Sequence, residues 1–527
     1  MSVASAAQPA AGPLAGVARG GSFAVLGTGA GSIFGFVLTL VLTHGLTTTT
    51  AGQFFTATAV FIVLQTFLSF GVGAGLVRFV PRFQALGRQA DVPALLVVAF
   101  VPVIVLGLVG SVALWFAAPL LASHIGHDSN DAALHSIRIL ALLFLPGVVE
   151  VGLVECTRAF GSVRNYVLLQ QVGIPAARPL LVGIAIAAGA PLWGVVLAWL
   201  IPLLLALLTA AALLAQRMRA LFGRRLAWPQ RTASVREVAA EYWSFTGARG
   251  LAGVMEILLT WLDVLLVAAL ASPAEAAIYA AASRFITSGT LVLQALRVAI
   301  AGDVSAALAR RDTDRVSQMY SAASQWVVLS SWPLYLVMAA FAPTVLSIFG
   351  EDYPSGAHAL TVLCLAMLVY LAAGNVGTVL LMGGRSSWVL MDKAASLAVN
   401  VVANLALVPH LGITGAAIAW AATIVLDSVL AFSQVRWGMR IGGSLRGLAL
   451  AAVLALGCFG VLPVIVRLIA GSSWAAMSVA LALSLSLYLP MVWLRRDTLG
   501  VRILIDALSP RTRSATTRTR GKPGARG

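Results

Sequence analysis

Apolar runs of about 20 residues follow one another along the whole chain, each long enough as a helix to cross a hydrocarbon core of roughly 30 Å. About fourteen of them can be drawn on a hydropathy basis, centred from near residue 33 to near residue 484. Run length selects helices over a barrel, whose strands need only ~10 residues of alternating polarity. No polar stretch between the runs is long enough to form a soluble domain. Composition agrees. The chain is 60% hydrophobic and 10% charged, whereas soluble domains carry roughly 25% charged residues. The expected class is therefore an all-α, multi-pass membrane protein.

The net charge of +16 could suggest nucleic acid, but its distribution argues against that partner. All but six of the 35 Lys and Arg residues lie on alternate loops and at the two ends. The six are Arg138, Arg178, Arg249, Arg284, Arg297 and Arg467, in or at the edge of apolar runs. The alternation follows the positive-inside rule, which predicts an even number of crossings and both termini in the cytoplasm. Basic loops at a membrane surface predict contact with anionic lipids. Residues 1–18 lack the basic start and short apolar core of a secretory signal, and read as a disordered cytoplasmic lead. Residues 497–527 read as a basic cytoplasmic tail. Cys156, Cys364 and Cys458 all sit inside apolar runs and read as small core residues with no disulfide framework.

The chain also carries an internal duplicate. Trp193-Gly194-Val195-Val196-Leu197-Ala198-Trp199 returns, 221 residues on, as Thr414-Gly415-Ala416-Ala417-Ile418-Ala419-Trp420. Nearly the same shift aligns Ala118-Pro119 with Ala342-Pro343, and Ala51–Phe55 with Glu275–Tyr279. A solenoid repeat spans only about 20–50 residues, so this period describes two homologous halves. The predicted division is an N-terminal six-helix lobe over 19–216, a basic linker over 217–241 and a C-terminal six-helix lobe over 242–435. Two appended helices follow over 436–496. Six crossings per half give both halves the same orientation, with a pseudo-axis along the membrane normal. Transporters built this way place their site at the repeat interface.

Local stretches carry a family resemblance. Gly73-Ala74-Gly75-Leu76-Val77-Arg78-Phe79-Val80-Pro81-Arg82-Phe83 resembles the stretch that closes helix two in the multidrug/oligosaccharidyl-lipid/polysaccharide (MOP) flippase superfamily. Leu407-Val408-Pro409-His410-Leu411-Gly412-Ile413-Thr414-Gly415-Ala416-Ala417 resembles its Leu-Ile-Pro…Gly…Gly-Ala-Ala stretch, and Met382-Gly383-Gly384-Arg385 its turn after helix ten. The resemblance spans roughly residues 20–495. It is strongest to the polysaccharide, or O-antigen flippase-like, branch, whose members move lipid-linked glycans from the inner to the outer leaflet. The multidrug extruders of the superfamily usually have twelve helices, so the appended pair sets this chain apart from them. The resemblance implies a polyprenyl-diphosphate-linked glycan as substrate, alternating access, a proton or sodium gradient as driver and a place in cell-envelope polysaccharide biosynthesis. Three alternatives stay open: a cation-coupled multidrug extruder, a lipid II flippase and an integral-membrane glycosyltransferase. The last would need acidic catalytic residues in a large outer loop, and the outer loops here are short.

Charges inside apolar runs are the candidate site residues, because an ionisable group at mid-bilayer costs at least ~2.5–3.5 kcal/mol and normally faces water or a partner. Arg249, Glu256 and Asp263 are spaced by seven, nearly two helical turns, and so fall along one face over about 21 Å. They make either a salt-bridge ladder or a cavity wall. Asp263 could pair with Arg284 across the turn near Ser272-Pro273. Arg178 lies between Pro175 and Pro179, and the repeat places it near Asn400. Glu150 could pair with Arg178 or Arg249. A diphosphate headgroup suits arginine, whose charge is permanent and whose fork matches phosphate oxygens. Arg78, Arg178, Arg249 and Arg284 are therefore the substrate-binding candidates, and Glu256 and Asp263 the ion-coupling candidates. His124, His127 and His135 lack a Cys or carboxylate frame and read as surface residues rather than a metal site. There is no glycine-rich phosphate loop followed by Lys-Ser/Thr, so no ATPase, cofactor or enzyme activity is expected. A monomer is expected.

Overall fold

The computed structural model describes residues 13–125, 130–223, 232–442 and 445–499. Residues 1–12 and 500–527, which hold most of the expected lead and tail, lie outside the described residues, as does His127. Every regular element among the described residues is a helix, as the apolar runs predicted. Among the described residues, ten helices are long and apolar enough to cross a membrane, or up to thirteen if each bent pair counts as one span. That count falls short of the expected fourteen. Three pairs are bent by 44°, 46° and 91° at short breaks. One 48-residue helix, Ser386–Ser433, is counted once although it runs through a kink at Gly412 (φ 53°, ψ −136°). At 1.5 Å per residue its length is roughly twice a hydrocarbon core.

The chain packs as two compact units. The first takes Met1–Ser288, Leu346–Ala359 and Lys393–Trp420. It contains α1 (Pro13–Gly45), α2 (Thr48–Ser69), α3 (Val72–Ala85), α4 (Val92–Ile125), α5 (Asn130–Leu142), α6 (Phe144–Ala159), α7 (Val163–Tyr166), α8 (Ile174–Ala187), α9 (Leu192–Phe222), α10 (Val235–Leu270) and α11 (Pro273–Ser288). Its start and stop signals are local. Thr47 accepts the Thr50 N–H at the head of α2, and Ser234 and Glu237 form a reciprocal capping box at the head of α10. Between α2 and α3 the chain breaks at two left-handed residues, Phe70 (φ 40°) and Gly71 (φ 75°). Inside, Phe54 and Phe61 of α2, Phe144 of α6 and Trp199 of α9 meet edge to face, with centroids 5.5 to 6.3 Å apart. α2 also packs closely on α11, its counterpart in the repeat. Gly52 sits against the Pro273 carbonyl, where no side chain fits.

The second unit takes Gly289–Val345, Leu360–Asp392 and Ala421–Gly527. Its helices are α12 (Leu291–Ala309), α13 (Thr313–Ala340), α14 (Ala342–Leu346), most of α15 (Ala357–Ala373), α16 (Val376–Met382), both ends of α17 (Ser386–Ser433), α18 (Leu445–Ala455), α19 (Leu462–Ala470) and α20 (Trp474–Leu494). Val304, Val316, Tyr320, Val379 and Val435 form its core. The expected appended helices are fastened to α13. Arg467 of α19 donates to the Ala340 carbonyl at 2.7 Å, where a cation meets the negative end of a helix, and Tyr488 of α20 donates to the Leu329 carbonyl at 2.8 Å.

Candidate functional site

α3 and α10 approach closely because both carry glycine at the crossing. A Cβ on Gly250 would lie 2.5 Å from the Phe70 carbonyl oxygen, and one on Gly71 would lie 2.8 Å from the Gly250 Cα. Tyr242 of α10 donates to the Val72 carbonyl at 2.9 Å. This crossing sets the Arg78 guanidinium 4.0 Å from the Phe245 ring centroid, a cation–π distance. Arg249 is one turn beyond Phe245, on the same face of α10. Arg78, Arg249 and Glu256 are all exposed. Among the described residues the side chains of Arg249 and Glu256 take no ion-pair, hydrogen-bond or ring partner. Both stand on Val235–Leu270, a helix long and apolar enough to cross a membrane. An exposed, unpaired arginine on such a helix is costly against lipid and cheap against water or an anion.

The heptad stripe does not stay in one environment. Asp263 is 3% exposed, while Arg249 and Glu256 are open. A straight helix drifts by about 20° per heptad, so two heptads rotate the third member toward a different neighbour. Asp263 turns into a polar cage. One carboxylate oxygen accepts the side-chain amides of Asn400 at 2.9 Å and Asn404 at 2.8 Å, and the other accepts the Tyr279 hydroxyl at 3.2 Å. Asn404 also donates to the Asn400 carbonyl at 2.9 Å. All four residues are buried. The side-chain oxygens of Asn400 and Asn404 are buried acceptors with no protein donor. The cage therefore gives the Asp263 carboxylate three neutral donors and no cation among the described residues. Of its members only Asp263 was a sequence candidate, and Asn400 was marked solely as the repeat counterpart of Arg178. The missed signal was Asn400 and Asn404 at i, i+4 in an apolar run, two amides on one helix face.

The other arginines sit beside tryptophans. Arg178 donates from Nε to the Trp199 carbonyl at 3.3 Å and stacks 3.9 Å from that ring's centroid. Of the two partners considered for Glu150, Arg178 is the one within its electrostatic reach. Glu150 is buried, and one of its oxygens has no hydrogen-bond donor. The Arg284 guanidinium lies 5.6 Å from the Trp261 ring centroid. The four candidate arginines have different surroundings: Arg78 lies over Phe245, one turn from Arg249 on α10, while Arg178 and Arg284 are held at separate tryptophans.

One further charged cluster was not foreseen. Arg82 and Arg88, read only as positive-inside residues, both pair with Glu241 of α10, at 3.1 and 3.2 Å. Arg88 also pairs with Asp91 at 2.9 Å. Asp91 is fully buried and accepts the backbone N–H groups of Thr232 and Ala233 at 2.8 and 3.3 Å, together with the Thr232 hydroxyl. The network ties the α3–α4 junction to the head of α10. Its ingredients lie 141 residues apart in sequence, beyond the reach of any local pattern.

The fold is the one shared by solved transporters of the MOP superfamily. Solved structures agree on the fold. The lipid II flippase MurJ in an inward closed conformation superposes with a TM-score of 0.68 at 12% identity, over 90% of this chain and 98% of that one. A multidrug resistance MATE family transporter of the MOP superfamily, in an inward-facing conformation, gives 0.62 at 16% identity, over 79% and 97%. A MOP superfamily transporter from Pyrococcus furiosus gives 0.54 at 16% identity, over 82% and 96%. The chain belongs to the polysaccharide biosynthesis protein family, whose sequence model matches residues 17–300, more than half of its length. The MatE family model matches residues 250–406. No curated protein matches the chain by sequence.

Proposed function

We propose that this chain carries a lipid-linked oligosaccharide or polysaccharide precursor from the inner to the outer leaflet of the cytoplasmic membrane by alternating access. The observation that carries the reading is Arg249, exposed and without a partner among the described residues on an apolar spanning helix, with Phe245 one turn away under the Arg78 guanidinium of α3. Two permanent cations on one face suit a diphosphate, which offers oxygens to both forks. A cationic drug would meet repulsion at the same place. Arg178 and Arg284 remain in the proposed substrate set as the arginines held over Trp199 and Trp261.

Coupling is assigned to Asp263 and Glu256. The Asp263 cage offers oxygen ligands in a buried setting, where binding and release of a proton or sodium ion changes the local charge by one unit. Glu256 is the exposed carboxylate on the same helix, one heptad from Arg249. The charge alternation supports a reading with both termini in the cytoplasm, the working unit being a monomer with anionic lipids at its basic loops. The test is export of the cell-envelope polysaccharide in cells whose own flippase has been deleted. Arg249→Gln, present in the membrane at the parent level, should export almost none. Parent-level export by this variant would remove Arg249 from the substrate path.

A further inference from the structure

A cavity of about 270 Å³ opens in the first unit, between the end of α6, the head of α7 and the last turns of α9. Leu213, Gln216, Arg217 and Ala220 line it from α9, and their 3-4-7 spacing places them on one helix face. Ser162 and Asn165 line it from the opposite side. Its polar groups are mainly donors. The Ser162 hydroxyl accepts the Asn165 N–H at 3.3 Å, which leaves its own proton to give. Among the described residues the side-chain amides of Asn165 and Gln216 and the Arg217 guanidinium take no protein partner. No acidic residue lines the cavity. The nearby Glu155 is engaged with Arg158 at 2.8 Å.

Four unspent donor groups, one of them a permanent cation, and no opposing carboxylate describe a site for an anion with several oxygens. A phosphate is the biological anion that fits. The rest of the wall excludes a purely ionic ligand as the best occupant, because Phe160 and Leu213 present apolar surface beside the donors. α9 is itself apolar enough to span a membrane, so Arg217 near its end stands where hydrocarbon gives way to headgroups. The volume is just below that of ordinary small-ligand pockets, roughly 300–1,000 Å³, and admits a headgroup rather than a whole lipid.

We propose that this cavity binds the phosphate headgroup of an anionic membrane phospholipid, with the phosphate on Arg217, Ser162 and Asn165 and the glycerol and first methylenes against Phe160 and Leu213. The site is separate from Arg78 and Arg249 and does not rest on the transport reading. The experiment uses the purified full-length chain in detergent and follows its thermal midpoint and the lipid it retains in native mass spectrometry. Phosphatidylglycerol should raise the midpoint and stay bound. Phosphatidylcholine, whose choline cation would meet Arg217 with no lining carboxylate to receive it, should do both more weakly, and inorganic phosphate at the same concentration should do neither. Arg217→Gln should weaken phosphatidylglycerol by about tenfold, the size expected for one charge-assisted hydrogen bond. Asn165→Asp, which places a negative charge in the cavity, should weaken it as well, and Arg219→Gln, outside the cavity, should not. Equal effects of the two lipids, or Arg217→Gln and Asn165→Asp variants that both bind like the parent, would overturn the proposal. Full protection by inorganic phosphate would overturn its assignment to a lipid.

Discussion

Arg178 and Arg249 read alike in the sequence, each a lone cation inside an apolar run, yet the structure gives them different neighbours. Arg178 stacks on Trp199 within reach of Glu150, whereas Arg249 stands open without a partner among the described residues. They should therefore fail differently. Arg178→Gln takes away the cation within electrostatic reach of the buried Glu150 carboxylate, so the protein should be destabilised. Less protein should reach the membrane, with a lower thermal midpoint, and adding Glu150→Gln should restore much of both. Arg249→Gln should leave the midpoint unchanged and abolish export. Arg249→Lys should recover part of it, because charge remains while the phosphate fork is lost. At Asp263 the expectation concerns coupling. Asp263→Asn keeps a side chain that fits the cage but removes the charge, so transport should lose its dependence on the proton or sodium gradient. Transport that still follows both gradients would return Asp263 to a purely structural role. What the sequence allowed at this scale was a list of charges inside apolar runs. Their partners were hidden, because Asn400 and Asn404 lie 137 and 141 residues from Asp263.

Helices were legible wherever apolar length decided them, and least legible where the chain bends. The stretch from Gly73 to Phe83 resembled the end of helix two, and it does close the second apolar span, Thr48–Ala85, but as a helix of its own, α3. The reason is the pair of left-handed residues at Phe70 and Gly71, a backbone break that hydropathy does not register. The same break brings Gly71 onto Gly250, so α3 and α10 cross at backbone distance. Gly250→Ala would drive a methyl into the Phe70 carbonyl and should destabilise the protein by about 1–3 kcal/mol, the usual range for overpacking. Larger residues at this position should do more harm, as read from the thermal midpoint. The Asp91 network makes a second demand on α10. Asp91→Ala removes the acceptor of two backbone N–H groups and leaves Arg88 with Glu241 alone. The midpoint should fall, while Asp91→Asn, which keeps one acceptor oxygen, should fall less.

At the scale of the whole molecule the sequence spoke most clearly. Run length fixed the all-helical class, and a duplicate offset by 221 residues pointed to two halves. The shared fold agrees with the first. The number of spans was harder to read, because hydropathy counts apolar lengths and the chain divides some of them at bends and carries one helix through Gly412. Loop charge predicts cytoplasmic termini, and reporter fusions at either end should be active only on the cytoplasmic side. The central claim, movement of a lipid-linked glycan, is tested most directly in proteoliposomes. The purified chain is reconstituted with a fluorescent polyprenyl-diphosphate oligosaccharide, and the label that reaches the opposite leaflet is measured with an impermeant quencher. The parent chain should move the label under an imposed ion gradient, and Arg249→Gln should move it at least about tenfold more slowly, a difference of roughly 1.4 kcal/mol. No translocation by the parent, or equal rates for parent and variant, would contradict the account.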